Sequence, residues 1–230
     1  MPILEHLREL RKRILISIFA FIFALIVSFP LVPPVLNKIR EDLMENILFV
    51  VLSPQEAIMV EIKVSLLLGF ILSFPVLVYQ LWAFIAPGLL RKERKILFYI
   101  LLPSIVLFLL GVMFAYYLLL PITLRFLIDI SYAIAFPLFS LSQTFNFVII
   151  LIILFGLVFQ LPLIVAILSR LGIVNYHFLE SKRKYILLST FIIAAIITDP
   201  SVVTQILVAI PIILLYEISI WVSKIVGDKK

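Results

Sequence analysis

Apolar residues in this chain run in long blocks broken by short polar stretches. Six blocks stand out: Ile14 to Val32, Ile62 to Trp82, Ile96 to Leu119, Asn146 to Leu168, Tyr185 to Ile197 and Val202 to Val222. A helix needs about 20 apolar residues, at about 1.5 Å each, to cross about 30 Å of hydrocarbon. The block from Tyr185 to Ile197 reaches only about 20 Å at that rise, so it requires a thinned membrane or a water-accessible end. The pattern predicts an all-α integral membrane protein, a single domain over residues 1–230 with six transmembrane helices and short fifth and sixth members. Residues 1–13 form an amphipathic helix, with Ile3, Leu7, Leu10 and Ile14 on one face and Glu5, Arg8, Glu9 and Lys12 turned away from it. The first block exceeds the 7–15 residues of a signal-peptide core and no small-x-small cleavage site follows, so it is read as a retained anchor.

Between the first two blocks, Val35, Leu36, Ile39, Leu43 and Ile47 recur at three- and four-residue intervals, which predicts a helical cap. Ser53-Pro54-Gln55-Glu56 then combines an N-cap serine, a first-turn proline and an acid three residues after the serine, so the second spanning helix is expected to begin outside the bilayer.

Composition reinforces the membrane reading. The chain is 64% hydrophobic and 14% charged, against about 45–50% and about 25% in soluble domains. A soluble chain of this size buries only about 70–75% of its unfolded surface and would be left with large exposed apolar patches. There are no cysteines and only two histidines, His6 and His177. Disulfides, thiolate metal sites and a Cys nucleophile are therefore removed, a histidine metal site or His-based catalytic pair has almost no material, and the chain is read as neither an enzyme nor a cofactor binder.

Most of the 19 Lys and Arg lie in four clusters: Arg8, Arg11, Lys12, Arg13; Arg91, Lys92, Arg94, Lys95; Arg170, Lys182, Arg183, Lys184; and Lys224, Lys229, Lys230. The rest, Lys38, Arg40, Lys63 and Arg125, fall on the alternate flanks. With six spans and both termini on one side, the positive-inside rule makes the termini cytoplasmic. The net charge of +6 thus reflects topology, since short clusters beside spans form no nucleic-acid face.

Few residues could carry chemistry. Glu9 either pairs with Arg13 at i, i+4, a contact of a few tenths of a kcal/mol, or serves a partner. In Tyr79 to Lys95, Trp82 and Phe84 suit the headgroup level and Pro87-Gly88 ends the helix. Glu93 stands among four cations there and is either neutralised by them or held for a cation from outside. Within the spans lie Gln80, Gln160, Thr190, Gln205 and Glu217, and such residues tend to face the bundle interior or a cavity. Gln160 reads as a helix-to-helix hydrogen bond or a substrate contact. Glu217 reads as snorkelling or as paired with Lys224. No nucleophile elbow, P-loop, HExxH or GxGxxG occurs.

Four stretches carry a resemblance: HLRELRKRI from His6, SFPVLVYQLWAFIAPGLLRKERK from Ser73, FAYYLLLP from Phe114 and TQILVAIPIILLYEI from Thr204. With the six-span pattern they extend over essentially the whole chain, which closely resembles TatC, the multi-span component of the twin-arginine protein translocase. The resemblance implies a core translocase component in the cytoplasmic membrane that receives twin-arginine signal peptides and exports folded proteins at the expense of the proton gradient. It also implies a cupped shape, contact with membrane lipids, TatA- and TatB-type single-span partners along the fifth and sixth helices, and assembly as homo- and hetero-oligomers. The family's arginine-receiving acids match Glu9 and Glu93, with Arg11 and Phe84 beside them. A planar guanidinium engages a carboxylate through two parallel hydrogen bonds and an ammonium does not, which gives a reason for arginine.

Two departures matter. Gln160 stands where family members usually have a glutamate, so hydrogen bonding survives there without charge. The outer turn reads Thr198-Asp199-Pro200-Ser201, with its acid on the other side of the proline. The competing class, a small secondary transporter or channel, calls for charges deep in several spans and paired broken helices, neither of which the sequence displays.

Overall fold

Apolar blocks of this kind fold as helices because hydrocarbon offers no hydrogen bonds, so each backbone N–H and C=O must pair within its own segment. The computed structural model describes residues 3–44, 47–85, 96–198 and 201–227. In chain order these form α1 (Ile3–Ser28), a 3-10 turn (Phe29–Leu31), α2 (Val32–Leu43), β1 (Phe49–Val50), α3 (Gln55–Ile85) and α4 (Ile96–Phe114). There follow a π-helical segment (Ala115–Leu119), α5 (Leu120–Ile134), β2 (Phe139–Ser140), α6 (Leu141–Val158), α7 (Leu161–Arg170), α8 (Tyr176–Ser181), α9 (Arg183–Ile197) and α10 (Val202–Gly227).

Among the described residues five helical runs are long and apolar enough to cross a membrane: Leu7–Leu43, Gln55–Phe84, Ile100–Ile134, Leu141–Arg170 and Val202–Gly227. At 15 residues α9 is not one of them, whereas α10, expected to be short as well, runs for 26 residues. Large apolar side chains point outward throughout, with Phe19 68%, Phe23 69% and Trp221 70% exposed. That distribution suits a hydrocarbon solvent and would be untenable in water.

Two blocks depart from the single helices expected of them. The third runs on past Leu119 through the π-helical turn into α5, and the turn lies just before Pro121. The fourth is interrupted at Phe159-Gln160, because Pro162 has no N–H to give back to the preceding turn. The backbone tightens there: Gln160 N–H bonds to Leu157 O at 3.0 Å, and Gln160 O accepts from Ile164 at 2.9 Å to start α7.

The chain divides into two compact units, Met1–Val106 with Leu138–Ile149, and Leu107–Pro137 with Ile150–Lys230. In the first, α1 packs on α3 along a seam of small residues. Ser28 Oγ donates to Leu25 O at 2.8 Å and also lies 3.1 Å from Ser65 O, and a Cβ on Gly69 would sit 3.1 Å from Leu25 Cα. Helices in a membrane gain little from excluding lipid from one another, so such close backbone approach is what holds them. The helical spacing from Val35 appears as α2, which buries Val32 and Ile39 and ends at Leu43, before Ile47.

Also in the first unit, β1 and β2 pair in parallel, Phe49 with Phe139 and Val50 with Ser140. Glu56 fastens them. Its Oε2 accepts Leu52 N–H at 2.6 Å, and its Oε1 accepts Ser140 Oγ–H at 2.7 Å and Ser142 N–H at 2.8 Å. The acid expected to cap only its own helix thus reaches the segment before α6 as well.

In the second unit, Gly111 lies against the backbone of Phe155, and Gly156 faces the ring of Phe108. Helix α10 packs on α7, α8 and α9, with Val165, Leu179, Tyr216 and Ile220 forming a buried cluster. Gly172, at φ 75°, reverses the chain after α7, its N–H bonding to Ser169 O and that of Ile173 to Leu168 O. A side chain at that φ would be strained.

Candidate functional site

The amphipathic start of α1 and the last turns of α3 meet in the first unit through Arg13. Spaced four residues apart on one helix, Glu9 and Arg13 share a face. Glu9 Oε1 accepts from Arg13 Nη2 at 2.7 Å and from Nε at 3.1 Å, and both side chains are about three-quarters buried. Arg13 Nη1 also donates to Oε1 of Gln80 at 3.1 Å, and Gln80 is buried. The local pair read in the sequence is therefore present, and it is tied to a second helix.

Sequence reasoning named Gln80 only as an intramembrane polar residue and did not link it to Glu9. Its signal was its position one helical turn before Phe84 on α3, which puts the two on one face. Phe84 is half-buried and Arg11 exposed. Glu93, Arg91, Lys92, Arg94, Lys95 and the Pro87-Gly88 turn lie outside the described residues, as does Asp199.

The other polar candidates belong to the second unit. Gln160 is buried at the α6–α7 break. Gln205 Nε2 donates to Phe191 O at 2.7 Å, which ties α10 to α9. Glu217 does not follow the expected pairing with Lys224. Its Oε2 instead accepts from Arg183 Nη2 at 2.9 Å, because the start of α9 brings a guanidinium to this face of α10. Arg183 Nη1 is also 3.6 Å from Glu180 Oε1, which accepts Tyr176 O–H at 3.1 Å. The hydrogen bond to Glu180 holds the Tyr176 hydroxyl above its ordinary pKa, since a phenolate would lose that bond and face a carboxylate. No group of three or more potential metal-binding side chains lies together among the described residues.

What the Glu9 arrangement can do is exchange partners. One carboxylate oxygen carries both bonds to Arg13, and the pair stays about one-quarter exposed and so open to an incoming group. An incoming guanidinium would find an acceptor already oriented between two helices.

Comparison with known proteins adds to this geometry. The family model described as "Sec-independent protein translocase protein (TatC)" matches residues 5–211. The chain is 40% identical over 235 residues to the Sec-independent protein translocase protein TatC of Aquifex aeolicus (strain VF5), covering 100% of this chain and 98% of that protein. It is 39% identical to TatCy of Bacillus subtilis (strain 168), covering 97% and 89%. A crystal structure of a "Twin Arginine Translocase Receptor- TatC" superposes with a TM-score of 0.87 at 39% identity, covering 96% of this chain and 99% of that one.

Proposed function

The chain belongs to the TatC family of Sec-independent protein translocases and is a multi-span membrane component of that machinery, and from that premise we infer that it is the receptor for twin-arginine signal peptides. In this reading Glu9 and Glu93 receive the two arginines at the cytoplasmic face of the cytoplasmic membrane, with Arg11 and Phe84 beside them. The chain crosses six times, α9 supplying the short fifth span, and both termini face the cytoplasm. Single-span subunits of the TatA and TatB type dock along α9 and α10 in a hetero-oligomer that exports folded cargo at the expense of the proton gradient.

The observation that carries this reading is the Glu9 carboxylate, held by Arg13 and through it by Gln80. Magnitudes bound its share. A micromolar complex requires about 8 kcal/mol, whereas a charge-assisted hydrogen bond contributes about 1.5–3 kcal/mol. Two arginines therefore supply part of the affinity, and the apolar stretch of the signal peptide supplies the rest by burial.

Site-specific crosslinking of a twin-arginine peptide to the purified protein, beside a twin-lysine control, tests the proposal. Glu9→Ala and Glu93→Ala should each reduce crosslinking and leave folding intact, and the twin-lysine peptide should crosslink poorly. Unchanged crosslinking in the double variant would return Glu9 to its local ion pair. Equal crosslinking of both peptides would remove the receptor reading and favour a transporter or channel.

A further inference from the structure

A cavity of about 590 Å³ opens in the second unit where the turn after α7, the start of α8 and the last turn of α10 converge. Ligand pockets run about 300–1,000 Å³, so this is room for more than an inorganic ion. Its lining mixes apolar surface with hydrogen-bonding groups and one cation. Ser169 donates to Ser223 Oγ at 2.8 Å, both buried, which leaves Ser223 its own hydrogen to give. Asn175 and His177 lie exposed on another wall.

Lys224 also lines the cavity, its ammonium 5.5 Å from the centroid of the Tyr176 ring, and among the described residues it forms no ion pair. No carboxylate is among the described residues of the lining. Glu180 is engaged by Tyr176 and Arg183 and Glu217 by Arg183, while Asp228, the acid next to Gly227 in sequence, lies outside the described residues. Beside this polar opening, Trp221, Ile225 and Phe178 are exposed, 70%, 61% and 53%. A charged, hydrogen-bonding hollow flanked by apolar surface at the end of a spanning helix matches a lipid better than a soluble anion, and basic pockets between membrane helices bind anionic headgroups.

We propose that this cavity seats the phosphate-bearing headgroup of an anionic membrane phospholipid, Lys224 facing the phosphate, Ser223 and Asn175 donating to its oxygens, and the acyl chains running along α10 past Trp221 and Ile225. The leaflet concerned is the inner one, which rests on the orientation given under Proposed function.

Native mass spectrometry of the purified chain, titrated in neutral detergent with phosphatidylglycerol, phosphatidylcholine or glycerol 3-phosphate, tests the site. Phosphatidylglycerol should be retained over both others. Lys224→Gln should weaken that retention about fivefold, the weight of one basic side chain at an anionic surface, with Asn175→Ala as a second weakened variant. Equal retention of phosphatidylcholine, glycerol 3-phosphate bound as well as the lipid, or unchanged retention in Lys224→Gln would each overturn the proposal. The leaflet is decided separately. Because the chain has no cysteine, Gly227→Cys can be probed alone with a membrane-impermeant maleimide. Labelling in inverted vesicles and not in intact cells is expected, and the reverse would overturn the inner-leaflet assignment while the detergent measurement still judged the headgroup site.

Discussion

Replacing Glu56 tests how the segment between α2 and α3 is fastened to the segment before α6. The carboxylate is 7% exposed and accepts three hydrogen bonds, one on Oε2 from Leu52 N–H and two on Oε1 from Ser140 and Ser142. In Glu56→Ala all three donors lose their acceptor. A buried orphan costs about 1–3 kcal/mol; the Ser140 hydroxyl can rotate to another acceptor and water reaches the exposed Leu52, so the net loss is that of the Ser142 N–H, about 1–3 kcal/mol.

Glu56→Gln is the sharper variant, because an amide has one accepting oxygen and one donating nitrogen. With its oxygen toward Ser140 and Ser142 it keeps two bonds, but its NH₂ then meets the Leu52 N–H, donor against donor. The loss should be about 1–2 kcal/mol, between wild type and alanine. The assay is thermal unfolding in detergent, read together with labelling of a single cysteine at Val51. The expected order of stability is wild type, glutamine, alanine, with label access rising in the same order. Unchanged melting and labelling in Glu56→Ala, or a glutamine variant as unstable as alanine, would refute the reasoning.

Gly111→Ala should destabilise by about 1–3 kcal/mol, since its Cβ would press into Phe155 O and backbone has to move; melting as high as wild type would show that α6 yields freely. Gln160→Glu should be tolerated and Gln160→Leu should impair export, because leucine cannot hydrogen-bond at the buried α6–α7 break, and full transport by the leucine variant would reduce the residue to packing. Four leucines inserted after Ile193 should lengthen α9 by about 6 Å and rotate its end by roughly 40°. Membrane insertion is expected to survive and export or partner docking to fail, and normal export would remove any role for a short fifth helix.

What the sequence disclosed followed from local spacing. The apolar blocks give the long helices, the three- and four-residue intervals give α2, and the block ending at Ile197 is where α9 ends. Contacts between residues far apart left no such trace. Nothing in Phe49-Val50 or Phe139-Ser140 marks two-residue strands, and Glu56 carried the signature of a local cap while also serving Ser140, 84 positions away. Proline placed the interruptions in hindsight only. Pro121 and Pro162 disturb the helix in the turn before them, but one yields a π-helical segment and the other a break, and that choice depends on what packs alongside. For Glu217 the sequence offers snorkelling or the nearby Lys224, whereas tertiary packing delivers Arg183 from another helix.

Gln80 bears on whether Glu9 can afford to change partners. Taking Arg13 away from Glu9 would leave a guanidinium in a setting about three-quarters buried, and a charge stranded there costs more than the pair contributed. Gln80 lowers that obstacle, since its Oε1 already holds Nη1 of Arg13 while Glu9 occupies Nη2 and Nε. A neutral acceptor retains the cation without competing for the carboxylate as a second acid would. Under the proposed receptor role, a bond from a new guanidinium returns about 1.5–3 kcal/mol to Glu9 while Arg13 gives up two of its three bonds, so the exchange is close to balanced with Gln80 in place. A leucine at Gln80 would tip that balance against exchange, because Arg13 would then depend on Glu9 alone.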